Sequence, residues 1–251
     1  HMRHLPISII IPTYNRASLL LGSIKSVLMA MGSEDELIVV DDGSTDNTRQ
    51  ILDPYLDRIR YIVGQNEGVG SARNRGIAAA RHPLLAFNDS DDEWFADKLV
   101  LQRTFMERRP DVLFCFSDFG LRDQNGAIVQ GGIGGWYRCP LNWKEIFGVS
   151  VPYSSITPLP QGRNDFPVYI GNMYLAELSG NCVSSQSLLV RRHEAGEALR
   201  FSHDLSWNED HECVIRLAKI GLAAYFDCQT FVQCDHAGPR LTRNPTLKYV
   251  S

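Results

Sequence analysis

The chain has 251 residues, of which 44% are apolar and 22% charged, and its formal net charge at pH 7 is -4. This composition is typical of a globular protein with one large domain or two small ones. The net negative charge argues against a general nucleic-acid binder, which would carry a basic stripe. No apolar run reaches the ~20 residues that cross a bilayer, and the N-terminal residues lack a signal-peptide pattern. We therefore expect a cytoplasmic protein with no transmembrane segment and no nucleic-acid partner.

The first half of the chain alternates short apolar runs with segments that have helical spacing. Continuous apolar runs that stop at polar or turn residues predict buried parallel strands. Their alternation with helices predicts βαβ units and a sheet covered on both faces. The predicted strands are 8–12, 36–40, 60–63, 84–87 and 112–116. The predicted helices are 17–31, 68–80 and 95–108, together with one that Ser44 or Thr45 would cap and that ends near Tyr55.

The second half of the chain is less regular. An Asn-Gly pair favours a hairpin turn, and stretches rich in glycine or proline favour loops. The predictions in chain order are a turn at 123–128, loops at 131–136 and 151–167, a strand in 184–192, a helix over 208–221, and one or two strands over 223–236. The six cysteines are irregularly spaced without a CxxC pair, which favours buried free thiols, such as Cys115, over a disulfide framework.

Acidic side chains follow two of the predicted strands. Asp41–Asp42 comes after 36–40, and Asp89, Asp91 and Asp92 come after 84–87. Ligands of open α/β sheets bind beyond the carboxyl ends of the strands, so these acids are expected at one edge. Clustered carboxylates suit Mg²⁺ or Mn²⁺, which can offset charge on a departing diphosphate. The alternatives are a capping turn before the 95–108 helix and a glycine turn in DDGSTD.

Two further segments have both a functional and an ordinary structural interpretation. GVGSARNRG (68–76) offers backbone N–H groups and Arg73 to an anion, or it forms an exposed basic helix. NEDHE (208–212) supplies a general base to a substrate hydroxyl, or its acids only stabilise a helix N-terminus. His236 is a metal ligand or an ordinary exposed histidine.

Seven segments, taken in order, resemble the family 2 glycosyltransferases, which are inverting enzymes of the GT-A group. The resemblance extends from residue 6 to about residue 243, and it implies a single Rossmann-like, mostly parallel α/β sheet flanked by helices, with a smaller acceptor-side subdomain. The segments are PTYNR (12–16), VVDDGSTD (39–46), NEGVGSARNRGIAAA (66–80), FNDSDDEW (87–94), SSQSLLVRR (184–192), NEDHECVIRLAKIG (208–221) and CDHAG (234–238).

The resemblance also implies a division of labour along the chain. Residues 5–118 would bind the nucleotide-sugar donor, and residues 119–251 would bind the acceptor and supply the base within the same domain. The implied reaction moves a sugar from a nucleotide-diphosphate sugar, most often a UDP-sugar, to a hydroxyl of a glycan or lipid-linked saccharide. It would require Mn²⁺ or Mg²⁺ and serve surface polysaccharide synthesis. Peripheral membrane contact and a homodimer are both compatible with it.

Roles for individual residues follow from the same resemblance. Asp91 would be the main metal ligand, with His236 on the metal or the diphosphate, and Asp210 would take the proton of the acceptor hydroxyl. The acids of the DxD motif are intact, although Asn88 stands where the family often has leucine. The residues expected to contact the nucleotide-sugar are Pro12, Tyr14, Arg16, Asp41, Asp42, Arg73, Asp89 and Ser90.

Two other classes of protein fit parts of the pattern. A nucleotidyltransferase also has an α/β sheet with an acidic metal site, but it usually carries a glycine-rich loop after the first strand, where this chain has PTYNRAS. A catalytically inactive carbohydrate- or nucleotide-binding relative would keep the fold. On the acceptor side, Trp136, Trp143 and Tyr153 either stack on sugar rings or pack in the protein interior.

Overall fold

The structure of the chain is a computed structural model that describes residues 4–136, 142–205 and 208–236. Within these ranges the chain folds around one mixed sheet with helices on its faces. The strands are β1 (Ile7–Thr13), β2 (Glu36–Asp41), β3 (Arg60–Val63), β4 (Leu84–Phe87), β5 (Asp92–Trp94), β6 (Val112–Arg122), β7 (Ile128–Val129), β8 (Val151–Pro152), β9 (Pro167–Gly171), β10 (Leu189–Arg191) and β11 (Leu222–Cys234). The helices are α1 (Ala17–Ala30), α2 (Thr48–Leu52), α3 (Val69–Ala79), α4 (Lys98–Arg108), α5 (Gly132–Trp136), α6 (Trp143–Phe147), α7 (Tyr174–Ser179), α8 (Arg192–Ala195) and α9 (Glu209–Ile220).

The strand order across the sheet is β3-β2-β1-β4-β10-β6-β11-β9-β8. The four strands β3, β2, β1 and β4 are parallel to one another, as the alternating first half of the sequence predicts. Strand β10 is antiparallel to both β4 and β6, whereas β11 is parallel to β6. Strands β6 and β4 therefore run in the same direction, and the α/β fold class predicted from the sequence is confirmed.

Continuous burial explains why the first strands were readable from the sequence. Every residue of β1 is buried, because neighbouring strands flank it and helices cover it. Helix α1 buries Leu20, Ile24 and Val27, which are spaced to lie on one helical face. Cys115 is a buried free thiol inside β6, as predicted.

The start of α2 differs from the prediction. The helix begins at Thr48 rather than after a hydroxyl cap at Ser44 or Thr45. The carboxylate of Asp46 accepts from the backbone N–H groups of Thr48 at 3.0 Å and Ala17 at 3.1 Å, because an ionised oxygen is a stronger acceptor than a hydroxyl. Asp46 thus ties the starts of α1 and α2 together.

Strand β5 overturns the interpretation of the DSDD segment as a capping turn. Asp92 belongs to this strand, which pairs with β11 and separates Asp89 and Asp91 from α4. Helix α4 begins at Lys98 rather than at residue 95. The segment 131–136 is not a loop throughout, since it contains α5, where Asp118 Oδ1 accepts from the N–H of Ile133 at 2.9 Å. The hairpin predicted at 123–128 is confirmed by the antiparallel pairing of β6 with β7.

The second half also departs from the prediction in detail. The segment 151–167 contains β8 and a short 3-10 turn at Tyr153–Ser155 before β9 begins. The predicted strand in 184–192 is confined to β10, and 223–236 gives the single long strand β11. The predicted division between residues 118 and 119 falls inside β6, so both halves share one sheet. Among the described residues, no helix has the length and apolar character needed to cross a membrane.

Of the aromatic side chains considered for sugar stacking, Tyr153 packs in the protein interior, whereas Trp143 is only partly buried. Tyr153 is fully buried, and its hydroxyl donates to the carbonyl of Leu101 at 2.8 Å. Trp143 stacks on Tyr225 with ring centroids 3.8 Å apart. The side chain of Trp136 lies outside the described part of the chain.

Candidate active site

Three chain segments meet at the carboxyl edge of the parallel strands. The N–H of Asp42 donates to the carbonyl of Thr13 at 2.8 Å, and the N–H of Asn88 donates to that of Ile10 at 3.0 Å. The side chain of Asn15 accepts from the N–H of Thr45 at 2.8 Å. The loops after β1, β2 and β4 are therefore held together, as expected for neighbouring parallel strands.

Asp89, Asp91 and Asp92 form a compact acidic cluster at this edge. One carboxylate oxygen from each lies within 4.8 Å of the other two. Burial raises the pKa of Asp92 well above its ordinary value, and the charges of Asp91 and Asp89 raise it further. Burial also raises the pKa of Asp89, although the guanidinium of Arg73 opposes that effect. The cluster is under electrostatic strain that positive charge relieves.

Most oxygens of the cluster already have protein partners. Gln186 Nε2 donates to Asp89 Oδ2 at 2.6 Å and to Asp92 Oδ2 at 2.8 Å. The other oxygen of Asp92 accepts from the N–H of Cys234 at 3.1 Å. The side-chain amide of Gln186 is thus the bridge that holds two like-charged carboxylates side by side.

Asp91 has the carboxylate best suited to a divalent cation. Its Oδ2 contacts Arg16 Nη1 at 2.7 Å and His236 Nε2 at 2.8 Å. Within the described part of the chain, no hydrogen bond reaches its Oδ1. Mg²⁺ and Mn²⁺ are usually bound by one or two carboxylates together with substrate phosphates, and an imidazole can complete a Mn²⁺ site. The residues present therefore fit such an ion, and Asp91 and His236 are the side chains that could hold it.

A buried arginine links this cluster to the first turn of α9. Arg73 is only 3% exposed, so the alternative of an exposed basic helix is wrong for this side chain. Its Nη2 donates to Asp89 Oδ1 at 2.8 Å, and its Nη1 donates to Glu209 Oε1 at 2.6 Å. The guanidinium also lies over the ring of Phe201, 5.0 Å from its centroid.

Asp210 is the acid of α9 that remains available for proton transfer. Its neighbour Glu209 is engaged by Arg73, whereas the Asp210 carboxylate accepts from the backbone N–H of His211 at 2.8 Å. Burial and, next, the charge of Glu209 raise the pKa of Asp210 to about 6. A carboxylate with this pKa is ionised at neutral pH and is a stronger base than an ordinary aspartate.

The two aspartates after β2 shape the neighbouring loops. Asp41 accepts from the N–H of Ser44 at 2.8 Å and from the hydroxyl of Tyr61. Asp42 accepts from the N–H groups of Glu67 at 3.0 Å and Gly68 at 2.7 Å. Both are buried, and both hold backbone at the predicted nucleotide side of the edge.

The remaining predicted donor-side residues differ in their exposure. Tyr14 is 40% exposed, with its hydroxyl 3.4 Å from Asn66 Nδ2, so its ring is accessible to a base. Pro12 is buried inside β1, where it pairs with Val40. Ser90 is buried between the acids of the cluster. Their roles as nucleotide contacts stay predictions.

Gln186 and Glu209 were missed as individual site residues. Both lie in segments that the sequence singled out, SSQSLLVRR and NEDHE, but neither segment indicates which side chain turns inward. The polar run SSQS directly before an apolar strand is the one signal for Gln186. Burying four polar residues in succession requires partners.

Comparisons with known proteins identify the class of protein that this fold and site define. The family model described as Glycosyl transferase family 2 matches residues 8–141, which is more than half of the chain. The chain belongs to that family. Structurally, it superposes on S. aureus TarS 1–349 in complex with UDP-GlcNAc with a TM-score of 0.68 at 18% identity, covering 96% of this chain and 61% of that one. This likeness confirms the GT-A fold.

Among curated proteins, the chain is similar to two enzymes of glycan synthesis. It is 39% identical over 128 residues to the putative teichuronic acid biosynthesis glycosyltransferase TuaG of Bacillus subtilis, covering 49% of this chain and 50% of TuaG. It is 35% identical over 124 residues to the UDP-Glc:alpha-D-GlcNAc-diphosphoundecaprenol beta-1,3-glucosyltransferase WfgD of Escherichia coli, covering 49% of each. The chain thus spans at most about half the length of these relatives.

Proposed function

We propose that this chain transfers a sugar from a nucleotide-diphosphate sugar to an acceptor hydroxyl, with inversion at the anomeric carbon. The donor is a UDP-sugar, and the acceptor is a glycan or a lipid-linked saccharide of a surface polysaccharide. Membership of family 2, the likeness to WfgD, whose name gives a UDP-Glc donor, and the likeness to a UDP-GlcNAc complex support this choice.

One observation carries the proposal: Arg73 connects the acidic cluster to the first turn of α9. Its guanidinium contacts Asp89 on one side and Glu209 on the other, so the groups for donor and acceptor chemistry share one buried ion pair. A sugar transferase needs this proximity, because the nucleophile and the leaving group must lie on opposite sides of one carbon atom.

The chain's own residues suit the steps of a single displacement. Asp210 accepts the proton of the acceptor hydroxyl as that oxygen bonds to the anomeric carbon and the bond to the diphosphate breaks. A hydroxyl is far less acidic than a carboxylic acid, so proton transfer accompanies bond formation. Tyr14, Asp41 and Asp42 bind and orient the nucleoside, and Arg73 fixes the position of Asp89 beside it.

Asp91 and His236 would hold a divalent cation in the site. When bound, Mn²⁺ or Mg²⁺ supplies positive charge to the diphosphate of the departing nucleotide. The acidic cluster would then experience less internal repulsion. Arg16, which pairs with Asp91 at 2.7 Å, must share or yield that contact.

Calorimetric titration with UDP, GDP and dTDP, each with and without Mn²⁺, tests the donor side. We expect UDP to bind most tightly and its affinity to fall at least tenfold without Mn²⁺. Melting temperature should rise with UDP and Mn²⁺ together, since a ligand that binds only the folded state stabilises it. Asp91→Asn should lose the metal effect, while Asp111→Asn, at an exposed surface pair, serves as the matched control. Metal-independent UDP binding would contradict the assigned metal role, and no nucleotide binding would overturn the donor assignment.

A further inference from the structure

A cavity lies beside the middle of β11, away from the acidic cluster. Its volume is about 750 Å³, within the range of small-molecule sites. Gln233 of β11 pairs with Asp92 of the cluster, and the cavity's Gln229 and Asp227 precede Gln233 on the same strand. At ~3.3 Å per residue this separation is roughly 13–20 Å. The residues of its lining that bear on a ligand are Phe95, Asp118, Gln130, Arg163, Asp227 and Gln229.

An irregularity of the sheet builds this cavity. Phe226 pairs with Ser117 and Gln229 pairs with Asp118, so Asp227 and Cys228 have no counterpart on β6. A second register shift follows between Gln229 and Val232. Bulges of this kind redirect side chains and are frequent next to binding sites. Here the bulge delivers Asp227 and Cys228 to the cavity wall.

The polar groups of the lining are fixed in place by other parts of the protein. Arg163 Nη2 donates to the carbonyl of Gln229 at 2.6 Å, and its Nη1 pairs with Asp97 at 3.1 Å. Asp118 Oδ1 accepts from the N–H groups of Phe119 at 2.8 Å and Ile133 at 2.9 Å. This arrangement leaves the second oxygen of Asp118 for a ligand, and pre-positioned groups lose little entropy on binding.

The chemistry of the lining selects a neutral, hydroxyl-rich ligand. Carboxylates accept hydrogen bonds from hydroxyl groups, and side-chain amides both accept from and donate to them. The ring of Phe95 offers an apolar surface to the C–H face of a sugar. The charge of Arg163 is engaged by Asp97, so Asp118 and Asp227 leave the cavity with excess negative charge. That charge disfavours phosphorylated sugars and uronic acids.

We propose that this cavity binds a neutral sugar unit of a glycan. Resting on the proposed function, we assign that unit to the acceptor chain, several units from the hydroxyl that reacts. The cavity would then hold a long acceptor in register with Asp210 and favour chains over single sugars.

Calorimetric or NMR titration without nucleotide or metal tests the inference, with maltotriose, cellotriose and triacetylchitotriose as neutral probes and trigalacturonic acid as the anionic probe. At least one neutral trisaccharide should bind saturably, and trigalacturonic acid should bind at least tenfold more weakly. Asp227→Asn and Gln229→Ala should each weaken binding about fivefold or more. Both residues are accessible, and the backbone carbonyl that Arg163 uses is retained in Gln229→Ala.

Exposed positions provide matched controls, Asp57→Asn and Gln124→Ala, which should bind as the wild type does. Any of three results would overturn the inference. They are no binding of any neutral trisaccharide at concentrations on the order of 10 mM, equally tight binding of trigalacturonic acid, and unchanged binding in both cavity variants. A parallel titration with UDP and Mn²⁺ separates the two proposals. Normal UDP binding without trisaccharide binding refutes only the proposed sugar site in the cavity. Trisaccharide binding without UDP binding refutes only the proposed donor site.

Discussion

Arg73 and Glu209, which are 136 residues apart in the sequence, form a buried ion pair with Nη1 and Oε1 2.6 Å apart. Both side chains are almost fully enclosed, and the other arm of the guanidinium holds Asp89. The pair therefore joins helix α3 in the first half of the chain to the first turn of α9. This ion pair, like the sheet, holds the residues of the candidate site in place.

Removing the guanidinium should be costly. Arg73→Met leaves the buried Glu209 and the partly exposed Asp89 without this counter-charge, so we expect a loss of about 3 kcal/mol in the free energy of unfolding. Adding Glu209→Gln to that variant should recover part of the loss, because one of the two carboxylates that lack a counter-charge is then neutral. Denaturant unfolding measures both. Arg109→Met, at a partly exposed pair with Asp111, is the control and should change stability by about 1 kcal/mol or less. Equal losses for the two arginines would contradict this description.

Gln186 should matter for the stability of the acidic cluster. Gln186→Ala removes the amide that bridges Asp89 and Asp92, which should lower the free energy of unfolding by about 1–3 kcal/mol. Mn²⁺ should then raise the melting temperature of Gln186→Ala more than that of the wild type, because the cation takes over part of the charge compensation. The exposed Gln50→Ala variant should behave as the wild type in both respects. A variant as stable as the wild type would show that the bridge is dispensable.

Turnover should depend on the ionisation of Asp210. With its pKa raised to about 6 by burial and by Glu209, the basic form predominates above pH 6. The rate should therefore rise about tenfold per pH unit below 6 and level off above it. Asp210→Asn should abolish this limb together with most of the activity. A pH profile that is flat between 5 and 8 in the wild type would argue against Asp210 as the base.

Lys98 should give stability a dependence on pH in the alkaline range. Its ammonium group is fully buried, donates to Gln102 at 2.6 Å and to the carbonyl of Ser187 at 3.2 Å, and has a pKa lowered by burial to about 7. The unfolded chain keeps Lys98 protonated up to about pH 10, so it binds more protons than the folded chain between pH 7 and 10. The free energy of unfolding should rise with pH there by up to ~1 kcal/mol per unit.

Lys98→Met isolates this contribution. The variant should show a flatter pH dependence than the wild type and equal or higher stability at pH 7, since Gln102 still donates to the Ser187 carbonyl at 2.7 Å. Lys219→Met, in the last turn of α9, is the control. Parallel pH profiles for wild type and Lys98→Met would show that the buried amine is not titrating as described.

The sequence predicted the first half of the chain well because β1, β2 and β4 are buried almost throughout. Such strands are continuous apolar runs, and the acids that follow β2 and β4 then fall at one edge by topology alone. The pairing of Asp91 with His236, 145 residues away, was reachable only through the family resemblance. The sequence reached this pairing through the resemblance and not through its contacts, and the role of both residues in holding a cation stays a prediction.

The burial of Arg73 shows where sequence reasoning fell short. Residues 68–80 are polar and basic, which favoured an exposed helix. A Cβ atom at Gly76 would lie 2.5 Å from Ile10 Cγ2, and one at Gly70 would lie 2.6 Å from the carbonyl oxygen of Ser202. Gly76 lets α3 approach β1 closely, and Gly70 lets it approach the backbone of Ser202. This close packing on two sides encloses Arg73. Long-range packing of this kind leaves no periodic signal in the sequence.

The release of nucleoside diphosphate from UDP-, GDP- and dTDP-sugars with Mn²⁺ or Mg²⁺ tests the central claim most directly. The proposed function predicts turnover of one UDP-sugar by the wild type and loss of turnover with EDTA. In Asp210→Asn, turnover should fall at least ~10²-fold, while UDP affinity stays within about twofold of the wild type. A donor that binds with its metal and is never turned over, with or without glycan acceptors, would contradict it and assign the chain to the non-catalytic relatives of the family.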